Sequence, residues 1–299
     1  MKNARKPISH PLRRADEISF SALVAPSFIL LFVLTIIPIL FSIIISFFNF
    51  KLTQLNSIHF CGFDNFVRAL HDQKFWSSIS ITVIQVVTTV AGQMILGMAA
   101  ALLLSREGRY IRVLRSLYII PMMITPIVTG MMFRMMFNAD MGVFNYLLSL
   151  VGIDPVNWLG NGRNALITVI VTDIWLSTPF VTMILMAGVQ SISQDYYDAA
   201  AIDGVSNIQQ FFYITLPLIR PMILLALLFR IMDAIRRYDS IMAMTAGGPG
   251  TATQTLNIYS YYQGFSYYNI GYSSALSLIM LIVIFSISMV LLKRIRESD

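Results

Sequence analysis

Long apolar runs separated by short polar stretches divide this chain. Six of them, at about 21–48, 79–104, 117–137, 165–190, 222–245 and 271–292, are long enough to cross a bilayer. A crossing helix needs about 20 mostly apolar residues to traverse roughly 30 Å of hydrocarbon. The pattern therefore predicts an all-α membrane protein with six transmembrane helices. The first run follows a basic start, as a signal peptide would. It is far longer than the roughly 7–15 residues of a signal-peptide core, and no small-residue cleavage site follows it, so a retained helix is expected.

Composition agrees with this reading. Of 299 residues, 57% are hydrophobic and 12% charged, about half the charge of a soluble domain. The lone Cys61 can form no internal disulfide, and no Cys/His group has metal-ligand spacing. The 18 methionines, "MMFRMM" among them, might suggest a soft-metal path. No Cys or His accompanies them within a span, and flexible core filling explains them better.

The net charge of +6 is distributed by loop. Lys2, Arg5, Lys6, Arg13 and Arg14 precede the first span, "SREGRYIRVLRS" (105–116) carries four arginines, Arg220 sits in the 191–221 loop, and Lys293, Arg294 and Arg296 close the chain. The opposite loops hold only Lys51, Arg68, Lys74 and Arg163. Basic excess marks the cytoplasmic side. Both termini and the 191–221 loop are thus expected inside, and nucleic-acid binding is not needed to explain the charge. The expected organisation is a cytoplasmic segment 1–20, a membrane domain 21–292 and a cytoplasmic tail 293–299. The outer loops 49–78, 138–164 and 246–270 are too short for an independent core.

The loop 191–221 contains "DYYDAAAIDGVSNIQQFFYITLPLIRP" (195–221) and reads as helix–turn–helix. Ser193 suits an N-cap with Asp195 in the first turn, and Gly204 suits a C′ stop. Ser206 and Gln209 match a capping box. Pro217 interrupts the second helix, and Pro221 suits the start of the fifth span. Ala199, Ala200 and Ala201 would allow another surface to approach closely.

The spacing of Asp198-Ala199-Ala200, Gly204, Ile214 and Leu216-Pro217 resembles the EAA loop of ABC-importer permeases, with Asp198 where that family usually has Glu. "GFDNFVRALHDQKFW" (62–76) and "TAGGPGTATQTLNIYSYYQGFSYYNIGYSSALS" (245–277) are similar to the carbohydrate branch, the maltose and glycerol-phosphate transporter type. The resemblance covers nearly all the chain after residue 20. It implies a type I importer bundle in which Asp198, Ala199, Ala200, Gly204, Ile214, Leu216 and Pro217 couple to an ATPase. It also implies the partners: two copies of that ATPase, a second and distinct permease, an external solute-binding protein and a sugar or oligosaccharide. No cofactor is expected in this chain, since ATP and Mg²⁺ would sit in the ATPase. "TAGGPG" (245–250) lacks the Lys-Ser/Thr of a P-loop. It is either a tight outer turn or an element against which the binding protein docks.

Charges inside spans are costly and mark function or pairing. The fifth run holds Arg230, Asp233, Arg236, Arg237 and Asp239. At helical spacing Arg230, Asp233 and Arg237 share a face of about 60°. They either line a solute path or form interhelical salt bridges, with Asp173 and Arg134 as possible partners. In the fourth run Asp173, Ser177 and Phe180 share a face beside Pro179, with Trp175 nearly opposite. Asp173, Ser177, Arg230, Asp233 and Arg237 are the expected path residues.

Two other classes compete. An intramembrane enzyme lacks its parts: all three histidines lie outside the spans, and "RYDS" (237–240) has no GxGD companion. No catalytic centre is expected. An ion-coupled carrier could use the buried acids, but it has no need of an ATPase-docking loop.

Overall fold

A computed structural model describes residues 11–106 and 108–297. Lys2, Arg5 and Lys6 lie outside them. The first helix, α1 (Pro11–Ile45), is followed by a two-residue antiparallel pair, β1 (Phe48–Asn49) and β2 (His59–Phe60), with Phe48 opposite Phe60. Then come α2 (Asp64–His71) and α3 (Gln73–Leu104). Asp72 caps α3 by accepting from the Lys74 N–H at 2.9 Å. This cap starts the second span about two turns earlier than hydropathy alone suggests, because Phe75 and Ser78 are buried rather than looped out.

The third expected span, 117–137, is not one helix. It comprises α4 (Arg109–Met123) and α5 (Pro126–Met136), bent 95° apart. Proline disfavours the helical region for the residue before it. Thr125, immediately before Pro126, accordingly sits at φ −64°, ψ 142°. A surface helix α6 (Val143–Leu150) leads to α7 (Gly162–Gln190), the helix of the fourth expected span, opened by the Asn161 side chain.

The 191–221 loop folds as α8 (Gln194–Ile202), α9 (Asn207–Gln210), a π-turn at Phe211–Thr215 and the short α10 (Leu216–Leu218). The fifth expected span, 222–245, is also divided. α11 (Arg220–Ile235) stops, and α12 (Asp239–Thr245) begins after Arg236–Tyr238. No Gly or Pro marks this break. The Asn257 side chain donates to the freed Arg236 carbonyl at 2.8 Å. Last come α13 (Leu256–Tyr261) and α14 (Ile270–Arg296), the helix of the sixth expected span.

Helices α3 and α7 lie along one another at the centre; α11 rests on α3, α7 and α14, and α5 holds α12. Gly130 permits the last contact, since a Cβ there would stand 2.6 Å from the Ser240 carbonyl oxygen. Val86, Val90, Ala234 and Ile235 fill the α3–α11 seam, and Phe133, Val169, Ile241 and Met244 the α5–α7–α12 seam. Helix α1 is different. None of Val24–Ile45 in its best 18-residue window is buried, and Phe28, Leu30 and Leu34 are bare. Such an apolar face suits lipid or another membrane subunit.

Candidate functional site

Three helices converge on a charged cluster. Asp173 on α7 is 1% exposed. Its Oδ1 lies 3.0 Å from Arg237 Nη2 and 3.7 Å from Arg230 Nη2. Asp233 Oδ2 receives Arg230 Nη1 at 2.7 Å and Arg237 Nη2 at 2.5 Å. Ser177 Oγ donates to Asp173 Oδ1 and accepts from Arg237 Nη2, both at 3.2 Å. The structure thus brings together all five expected path residues. Each buried carboxylate or guanidinium meets its opposite, as burial requires. Asp173 faces two guanidiniums at once.

The break at 236–238 bears directly on this geometry. Arg237 lies just past the end of α11, yet its guanidinium still bonds Asp233 one turn back as it reaches Asp173 on α7. A pocket of about 350 Å³ adjoins the cluster. Asp233, whose side chain is 44% exposed, and Arg236 contribute charge to its lining, and Phe180 and Phe229 contribute rings 6.1 Å apart edge to face.

One member of the cluster was not expected. Gln93 on α3 accepts from Arg230 Nε at 2.8 Å and donates to the Asp173 carbonyl at 3.0 Å. A glutamine in the midst of an apolar run was the available signal, because buried amides seek partners. Arg134, by contrast, does not join the network. It reaches the Ala243 carbonyl at 3.4 Å, since the α4–α5 bend carries it to another face. Trp175 packs on Phe133, with ring centroids 5.2 Å apart, away from the cluster.

At the far end of α7 the cassette carries its expected caps. Ser193 Oγ accepts from the Asp195 N–H, and Ser206 with Gln209 forms a reciprocal capping box. Gly204 turns the chain at φ +73°, and the Val205 N–H closes on the Ala200 carbonyl at 2.9 Å. Before Pro217, which lacks an N–H, the ladder slips to a π register and Leu216 donates to Phe211. Asp198 and Ala199 are exposed, Ile214 and Leu216 half-buried, and Pro217 exposed. The expectation of three accessible alanines is corrected. Ala200 is 7% exposed and faces inward, leaving Ala199 and Ala201 at the surface. Ile202, at 87% exposed, and Ile208, at 72%, flank Gly204 as bare apolar residues.

Residues 93–297 match the family described as binding-protein-dependent transport system inner membrane component. The chain is 39% identical over 237 residues to the trehalose/maltose transport system permease protein MalF of Thermococcus litoralis, covering 78% of this chain and 79% of that one. It is 33% identical over 284 residues to the sulfoquinovosyl glycerol transport system permease protein SmoG of Agrobacterium fabrum, covering 95% and 92%. Among solved structures, a bacterial ABC transporter involved in the import of the acidic polysaccharide alginate superposes with a TM-score of 0.81 at 20% identity, covering 95% of this chain and 99% of that one.

Proposed function

Because the chain belongs to the binding-protein-dependent transport system inner membrane component family, we propose that it is one pore-forming half of an ATP-driven sugar or oligosaccharide importer. It is a multi-pass membrane subunit of an ABC transporter. Its partners in the proposal are two copies of an ATPase that holds ATP and Mg²⁺, a second and distinct permease, and an external solute-binding protein. The chain supplies the path and the coupling loop and carries out no chemistry of its own.

The observation that carries the proposal is the continuity between cassette and cluster. Helix α7 runs from Asp173 directly into the cassette, and the cassette runs through α10 into α11, which bears Arg230 and Asp233. A displacement of the exposed turn around Gly204 therefore acts on two of the three walls of the charged cluster. In the proposed cycle, closure of the ATPase pair pushes on Asp198, Ala199, Ile202 and Gly204. The push tilts α7 and α11 together, and access to the pocket at Asp233 alternates between the two sides. Phe180 and Phe229 offer rings for sugar stacking, and Asp233 and Arg236 offer hydrogen bonds to hydroxyls.

The test is purification of the tagged chain from its own host in mild detergent, with mass spectrometry of what accompanies it. A P-loop ATPase and a second six-span permease are expected, and a co-purifying binding protein would identify the solute by its own ligand. A chain that emerges alone under several gentle conditions would overturn the proposal.

A further inference from the structure

A second, larger cavity than the pocket at Asp233 lies apart from the charged cluster. It measures about 1360 Å³ and separates the α3–α4 turn from the inner side of the cassette. Arg106, Arg109 and Arg112 stand on one wall, and Tyr197, Gln210 and Thr215 on the other. Tyr197 and Thr215 hold that second wall together through a 2.9 Å hydroxyl contact.

The charge of this cavity is one-sided. No carboxylate lines it among the described residues. Arg115 is engaged with backbone, donating to the Leu104 carbonyl at 2.7 Å and to the Arg106 carbonyl at 3.0 Å. Arg106, Arg109 and Arg112 are exposed, and their guanidiniums have no acidic or hydrogen-bonding partner among the described residues. Glu107, outside those residues, is the one acid in a loop of four arginines. Unpaired guanidiniums grouped at a cavity suit a phosphate, whose oxygens match their planar forks.

An apolar stripe begins at the same arginines. Arg109 is followed at helical spacing by Val113, Leu117 and Ile120, which are 56%, 56% and 49% exposed. Helix α4 has no buried residue at all. A soluble anion would occupy the arginines and leave this stripe bare, whereas a phospholipid uses both. The geometry points to a site for an anionic phospholipid of the cytoplasmic leaflet, its phosphate among Arg106, Arg109 and Arg112 and an acyl chain along Val113, Leu117 and Ile120. This rests on the proposed orientation, which places the cassette and 105–116 on the side where anionic lipids concentrate. A lipid held there would sit between α4 and the cassette and would brace one against the other.

The experiment compares the wild-type chain with Arg109→Gln/Arg112→Gln and Arg109→Lys/Arg112→Lys, each in the assembly in which it purifies. Each is titrated with phosphatidylglycerol and, separately, with phosphatidylcholine of the same acyl chains, and bound lipid is counted by native mass spectrometry. The wild type is expected to retain phosphatidylglycerol in preference to phosphatidylcholine. The glutamine pair should bind it about five-fold more weakly for each arginine removed. The lysine pair, which preserves charge and the topology signal, should retain most of the affinity. Millimolar inorganic phosphate should not displace the lipid.

Equal phosphatidylglycerol retention by the wild type and the glutamine pair would overturn the site. Displacement by inorganic phosphate would reassign it to a soluble anion. A glutamine pair that loses the ATPase yet holds as much lipid would give the arginines to a protein contact instead. A wild-type chain that purifies without an ATPase would count against the importer reading alone, since the lipid titration can be read on the isolated chain.

Discussion

Asp173 and Asp233 share the same two arginines but differ in exposure, and that difference predicts different mutant behaviour. Asp173 is buried, so Asp173→Ala leaves guanidiniums poorly compensated inside the bundle. Loss of one partner of a buried pair costs about 3–5 kcal/mol. A lowered melting midpoint in detergent and reduced assembly are expected. Asp233 borders the pocket, and its removal leaves Asp173 to hold both arginines. Asp233→Ala should therefore reduce uptake more than assembly, measured as transport rate per folded complex. Equal losses of both would return Asp233 to a purely structural role.

Asp72 is a third acid with a distinct environment. It caps α3 and accepts hydrogen bonds from the Tyr259 and Tyr272 hydroxyls, the latter at 2.8 Å. Burial raises its pKa, but those bonds and the N–H groups of Lys74 and Phe75 outweigh it, so the carboxyl lies below its usual 3.8. A depressed folded-state pKa contributes stability above the unfolded value and loses it as pH falls through the folded one. The wild type should exceed Asp72→Asn in melting midpoint near pH 6, and the gap should close below about pH 4. A constant gap across that range would refute the ionic account.

At the level of elements, the cassette turn is the sharpest test. A Cβ at Gly204 would meet no atom within 4 Å, so substitution there probes backbone conformation alone. At φ +73° a β-branched residue is disfavoured by at least about 1–2 kcal/mol. Gly204→Val should disrupt the turn, release the ATPase or uncouple hydrolysis from uptake, and leave membrane insertion intact. Unchanged uptake with unchanged coupling would argue against this turn as the contact point.

At the scale of the whole molecule, orientation is the proposal on which coupling depends. Cys61, the only cysteine, lies in the loop expected outside, half-buried with its thiol against the Phe47 carbonyl at 3.4 Å. Burial and the nearby Asp64 push its pKa up. In intact cells an impermeant maleimide should label Cys61, faster at higher pH. In a Cys61→Ser background, Asp203→Cys should label only after permeabilisation. The reverse pattern would invert the topology.

Much of this protein was legible in its sequence because the deciding interactions are local. Apolar length located four helices long enough to cross a membrane and the two bent helix pairs. Capping chemistry located the cassette turns, since Ser193, Gly204 and the Ser206–Gln209 box act within a few residues. The family resemblance was carried by the spacing of that short loop together with the stretches 62–76 and 245–277. Hydropathy was blind to the 95° bend before Pro126, although the proline itself was visible, because an apolar count does not register direction.

The rest was decided by the tertiary structure. Gln93 meets Arg230 across 137 positions, and Asn257 satisfies the Arg236 carbonyl across 21. Neither distance leaves a periodic trace in the sequence. Helical spacing put Arg230, Asp233 and Arg237 on one face, but only the packing of α7 against α11 made Asp173 their partner and left Arg134 aside. Ala200 turned inward for a similar reason, since a short cassette has no apolar stripe strong enough to declare its buried side. Local patterns specify which helices form and where they end. Which buried charge meets which is set by how those helices pack, since a buried charge needs an opposite one beside it.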